Sequence, residues 1–313
     1  MKFSHREELR ADRAFDVLTD EENGLRLTVS RLGAELVSLA KRNRAGEWVG
    51  FLYRDNDITA PAKGWANHAT VMGYYLHRLK DGQSLYRGHP IKGGTHSFLR
   101  SKIWHPIQTT ESGGSLTYRI TPHDFSATDY PLKVTVDLTY EINAHGARVT
   151  FQFRNDETEL TAHVAFGLHP GFAATSFESF GFRMPAGKYR RHFSPGNYLS
   201  GETEDIEFPG GEMPFARDQL PGSYILELVD VPNREFVFID PPSRRQVVLD
   251  LAGVPYLTLW SDGGSFLCAE PCWGLTDHHE QRAFEDKEGI QKIPPRGELS
   301  AQFSVQPQFQ TSD

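Results

Sequence analysis

L-K-V-T-V-D-L-T-Y-E-I, Leu132 to Ile142, places an apolar side chain at every second position, with Lys133, Thr135, Asp137, Thr139 and Glu141 between. Side chains of an extended chain point alternately to opposite faces, so this run reads as a strand with one wet face. After the turn-like Asn143-Ala144-His145-Gly146 the alternation resumes through Val149, Phe151 and Phe153, and the two runs read as an antiparallel hairpin. Working outward, shorter alternating runs at Leu116 to Ile120, Glu235 to Ile239 and Leu299 to Val305 are separated by Gly, Pro, Asn and Asp clusters. Helical periodicity is scarce, and its one modest candidate lies around His278 to Asp286. With 28 glycines and 19 prolines as turn punctuation and no βαβ rhythm, the pattern predicts an all-β sandwich or barrel. No internal repeat or low-complexity linker interrupts it, so residues 1–313 are read as a single domain.

At 313 residues and 38% hydrophobic content, such a chain can bury a core without disulfides or a structural metal. Its two cysteines, Cys268 and Cys272, lack the partner ligands of a zinc site and read as ordinary reduced thiols. The segment Met1 to Arg10 is too polar for a secretory apolar region, and no stretch reaches the apolar length that spans a bilayer. The expected location is the cytoplasm. A net charge of −8 and an isoelectric point near 5.9 argue against a nucleic-acid footprint, and the basic cluster Lys188, Arg190 and Arg191 is read as a solvated loop.

Three segments combine titratable residues with glycine or proline: G-G-T-H-S-F-L-R (Gly93 to Arg100, with His77-Arg78 upstream), F-G-L-H-P-G-F (Phe166 to Phe172) and L-C-A-E-P-C-W-G (Leu267 to Gly274). They supply His96, His169 and Glu270. The prolines after His169 and Glu270 suggest that each strand stops there, leaving both side chains at a sheet rim. Singly, each has a bland alternative: a buried structural histidine, a surface carboxylate, a solvated loop histidine. Together they offer a base and an acid, which the interconversion of sugar anomers requires. That reaction takes a proton from the anomeric hydroxyl and gives one to the ring oxygen. A carboxylate near pKa ~4.3 and an imidazole near ~6.5 suit those tasks with little adjustment, and no cofactor or metal is needed. Sugar faces also need flat apolar surface. Trp260, Trp273, Tyr74 and Tyr75 are candidates, with Trp273 preferred and Trp260 read as structural, while Arg78 offers a planar fork of donors for hydroxyls.

With these motifs assembled, the chain resembles the aldose 1-epimerase family, in its galactose mutarotase-related branch, from about Ser30 to the C-terminus. The likeness rests on S-R-L-G-A-E-L-V-S-L (Ser30 to Leu39), G-Y-Y-L-H-R-L-K-D-G (Gly73 to Gly82), G-T-H-S-F-L-R, F-G-L-H-P-G-F, P-Y-L-T-L-W, F-L-C-A-E-P and K-E-G-I (Lys287 to Ile290). The resemblance implies a large antiparallel β-supersandwich with few short helices, and an isomerase of mutarotase type acting on a small-molecule sugar. It further implies Glu270 as general base, His169 as general acid, and His96 and Arg78 as sugar-orienting groups. For the family's hydroxyl-binding aspartate, Asp218 is the nearest by order. Departures are His77 where a glycine normally precedes the arginine, Ser97 and Leu99 for Gly and Ala, and Cys272 between Pro271 and Trp273. A non-catalytic carbohydrate-binding protein and a metal-dependent cupin-like enzyme are the alternatives. The latter would need an H-x-H ligand set, whereas His278-His279 are adjacent in a polar stretch.

Overall fold

The structure, a computed structural model, describes residues 3–59, 64–110, 114–214 and 216–310. The hairpin that opens the sequence reading forms as Val134–Ile142 against Ala147–Asn155, in antiparallel register from Val134 opposite Asn155 to Ile142 opposite Ala147. Its apolar positions Val134, Val136, Leu138, Val149, Phe151 and Phe153 are buried, as the alternation requires. The three shorter runs are strands Ser115–Ile120, Glu235–Asp240 and Glu298–Phe309 of the same nine-stranded sheet. A five-stranded meander covers Phe3–Gly50, and an eight-stranded sheet carries the central strand Ala162–Ala173. All the strand pairs described are antiparallel, so the chain is all-β, a large antiparallel sandwich. The larger sheets meet where Phe151 and Phe153 pack on Phe166 and Trp273, with Phe153 and Phe166 rings 4.5 Å apart.

The stretch around His278 to Asp286 is not a helix; only the 3-10 turn Phe284–Asp286 forms there, and His278 bridges to Leu199. Among the described residues no helix is long and apolar enough to cross a membrane. The basic cluster lies on the strand Gly187–His192 rather than in a loop, where Arg190 meets Asp205 at 2.7 Å and Arg191 stacks over Tyr224.

The central strand shows no alternation in its sequence because it is buried on both faces along nearly its whole length. On one edge it pairs with Ala69–Tyr74, and on the other with Phe266–Trp273 and, at its start, with Gln291–Ile293. This position, deep in the molecule, decides where the candidate site sits.

Candidate active site

Gly167 pairs with Cys272 and Gly171 with Cys268, so the register sets His169 opposite Glu270. Between those pairs lie Pro170 and Pro271, neither of which can donate a ladder hydrogen bond. The prolines therefore do not end the strands, as the sequence reading expected. Both strands run past them, to Ala173 and Trp273, and the two residues meet in mid-sheet rather than at a rim. What proline supplies is a gap in the ladder at the one place where two polar side chains face each other.

Glu270 is 1% exposed and His169 5%. His169 Nε2 stands in ion-pair contact with Glu270 Oε1 at 3.2 Å, while His77 Nε2 is hydrogen-bonded to Oε2 at 3.0 Å. His96 closes the group, its ring edge-on to those of His169 and His77 at 5.1 and 5.6 Å. His77 and His96 are joined through the backbone, the His96 N–H donating to the His77 carbonyl at 2.8 Å. Nδ1 of His169 and of His96 are buried without a partner among the described residues. Burial pushes the His169 imidazole below its ordinary range, opposed by the attraction of Glu270. Burial, then the neighbouring His169, His77 and Arg100, hold His96 well below it. The site thus contains one buried carboxylate, and its His169 and His96 imidazoles are disposed to be neutral, so its acid needs more tuning than the sequence suggests.

These groups line a cavity of about 410 Å³ that Arg78 and Arg100 also reach. Arg78 is exposed, and its backbone carbonyl is fixed by the Asp277 N–H at 3.2 Å. The flat surface comes from Trp65 and Trp260. Trp65 stacks on the His169 ring at 5.0 Å and 26°, and Trp260 lies edge-on to it at 5.7 Å. Gly171 makes the first contact possible, since a Cβ there would lie 2.4 Å from the Trp65 ring. Ser194, Asn197, Ser223 and Thr276 add neutral hydrogen-bonding groups from the surrounding turns.

Of the residues chosen from sequence, Glu270, His169, His96 and Arg78 come together here and two do not. Trp273 is core, stacked on Phe166 at 5.2 Å and 9°, and the strand alternation explains why: three positions from Glu270, it faces the opposite side. Asp218 is exposed on the 3-10 turn Arg217–Gly222; Pro221 of that turn, and Ser223 just after it, reach the cavity in its stead. Tyr74 and Tyr75 are also buried, their hydroxyls donating to the carbonyls of Val134 and Gly94. Trp260, read as structural, lines the cavity, and Trp65 was not singled out because the fold alone brings it there. His77 was noticed as the neighbour of Arg78 and as a departure from a pattern, and was given no role.

Among the described residues, the donor atoms of His77, Glu270 and Cys272 form the one trio within 4.8 Å that could hold a metal ion. Cys272 is a poor starting point, because burial and Glu270 push its thiol well above the ordinary range. Cys268 and Cys272 are both buried free thiols. The adjacent pair His278-His279 is split, His278 bonding Glu288 at 2.8 Å and His279 the Leu199 carbonyl at 3.0 Å.

A family model described as aldose 1-epimerase matches residues 16–279, beginning before the motif at Ser30 and ending before that at Lys287. Among solved structures, the chain is similar to a galactose mutarotase-like protein from Lactobacillus casei, at 20% identity and a TM-score of 0.81, over 94% of this chain and 100% of that one. It is similar to a galactose mutarotase related enzyme from Lactobacillus acidophilus, at 22% identity and a TM-score of 0.81, over 95% and 99%. A galactose mutarotase-like protein from Clostridium acetobutylicum shares 15% identity and a TM-score of 0.74, over 98% and 99%. At these identities the likeness is one of fold. No curated protein matches the chain.

Proposed function

The chain belongs to the aldose 1-epimerase family and is an isomerase of the carbohydrate epimerase or mutarotase kind, and from that premise we propose that it interconverts the α and β anomers of an aldose or aldose derivative. Residues 1–313 would act as one such domain. The observation that carries the reading is the contact of Glu270 with His169 at 3.2 Å inside a cavity of sugar size.

In the proposed cycle Glu270 takes the proton of the anomeric hydroxyl while protonated His169 gives one to the ring oxygen. The bond between the ring oxygen and the anomeric carbon breaks, and the hydroxyl oxygen becomes an aldehyde carbonyl. The aldehyde turns about its first carbon–carbon bond. Closure runs the transfers backwards, and both groups recover their starting state. His96 and Arg78 orient hydroxyls, and Trp65 and Trp260 offer apolar faces to the ring. Two buried free thiols suit a reducing compartment such as the cytoplasm.

The test is a panel of anomerically pure sugars, neutral and anionic, followed by polarimetry or NMR with and without protein. Acceleration of at least one sugar well above the aqueous background supports the reading. Binding without acceleration of any sugar overturns it in favour of a non-catalytic carbohydrate-binding protein.

A further inference from the structure

We propose that His77 is a positioning residue for Glu270: it holds oxygen Oε2, leaving Oε1 to be exchanged between His169 and the substrate. The inference rests on Glu270 being the base. A carboxylate has two oxygens, and each is met here by a different imidazole. Each oxygen keeps a further lone pair for an anomeric hydroxyl, and it is delivery of the acid's proton to the ring oxygen that opens one contact. His169 is the one that opens, because the nitrogen at 3.2 Å from Oε1 is the same nitrogen that must turn to the ring oxygen.

His77 has no second task and is held in place. Its side chain is 13% exposed, its ring abuts that of His96, and its carbonyl accepts the His96 N–H. A hydrogen bond to Oε2 from a fixed donor stops rotation of the carboxylate about its last bond, so Oε1 stays aimed into the cavity when His169 leaves it. The backbone of His77 has φ +49°, in the left-handed region that glycine enters freely and a branched or ringed side chain enters at a cost. What this chain gains by placing histidine there is the imidazole on Glu270.

That backbone also supplies a clean experiment. His77→Gly suits the positive φ better than histidine does and removes the side chain, Cβ and imidazole together. Its kcat for the best sugar should fall about 10- to 100-fold, the loss that goes with misplacing a reacting group by an ångström or less, while KM stays within about threefold. Free imidazole in the buffer should restore several-fold of the lost kcat, and His77→Gln, whose amide nitrogen can donate to the same oxygen, should retain most of it. The crystal structure of sugar-free His77→Gly should show the Glu270 carboxylate rotated or in more than one orientation, and single again after an imidazole soak. Parental kcat in His77→Gly overturns the proposal, as does an unmoved carboxylate or a loss that neither imidazole nor glutamine relieves. Should the parent accelerate no sugar, the function reading fails, and the crystallographic comparison still decides whether His77 sets the carboxylate.

Discussion

Glu270→Gln removes one charge from a buried point of the cavity while preserving shape, and its consequences can be worked from two contacts. The amide oxygen can keep the place of Oε2 and go on accepting from His77, now at 3.0 Å. The amide N–H₂ then faces His169 Nε2, at 3.2 Å from the present Oε1, and can donate to it if the ring carries its proton on Nδ1. Nδ1 is buried without a partner, so the exchange trades the contact with the carboxylate for a buried N–H left unsatisfied. A cost of about 1–3 kcal/mol in stability is expected, the range for disturbing a buried polar partner. At about 2–4 °C per kcal/mol, Tm should fall by roughly 2–12 °C. Loss of the base should cost a factor of about 10² to 10⁴ in rate, or roughly 3–5 kcal/mol in the barrier. The assay is polarimetry or NMR exchange on the best anomeric substrate, with the aqueous background subtracted and a thermal melt on the same sample. His169→Asn should lose a similar factor, and the double variant far less than the product of the two, because both serve one proton-transfer step. A folded Glu270→Gln protein with near-parental turnover refutes the mechanism.

Arg78→Lys keeps the charge but loses the planar fork, so KM for the best sugar should rise or kcat fall by about tenfold; parity in both constants, or a soaked sugar that avoids Arg78, removes it from the site. The pH profile of kcat/KM should be bell-shaped, because the working pair carries one proton in total. Its alkaline limb is the loss of the acid's proton, and since burial lowers the His169 pKa that limb should fall below the ~6.5 of a solvated imidazole. An alkaline limb above about 7.5 would assign the acid elsewhere. Exhaustive chelation and dialysis should leave turnover unchanged, since Glu270 is needed as a free base and Cys272 is disposed to stay protonated; loss restored by one specific metal would point to His77, Glu270 and Cys272 as ligands.

The architecture was legible wherever a strand has one wet face. Leu132–Ile142 and its partner announce themselves because Lys133, Asp137 and Glu141 must alternate with Val134, Leu138 and Ile142. The site strands hide, because Ala162–Ala173 and Phe266–Trp273 are buried on both faces and carry no period. Their chemistry was readable from His-Pro-Gly and Glu-Pro, yet the same prolines misled about where the strands stop. Trp273 was chosen by nearness in sequence to Glu270, which counts for little when side chains alternate. Trp65 belongs to none of the motifs and reaches His169, more than a hundred residues further on, only through tertiary packing. Asp218 was chosen by order alone, and the turn that carries it presents its neighbours instead.

Glu270 and His77 are separated by 193 residues, and between them the central strand must have found partners on both edges. Closing a loop of that length is entropically slow, and contacts so remote in sequence form only when most of the chain is in place. An intermediate in which the central strand lacks either edge partner cannot set Glu270 between His169 and His77. Recovery of turnover during refolding should therefore lag the recovery of strand signal and coincide with the final burial of the tryptophans at the cavity, which makes activity a kinetic clock for completion of the whole chain.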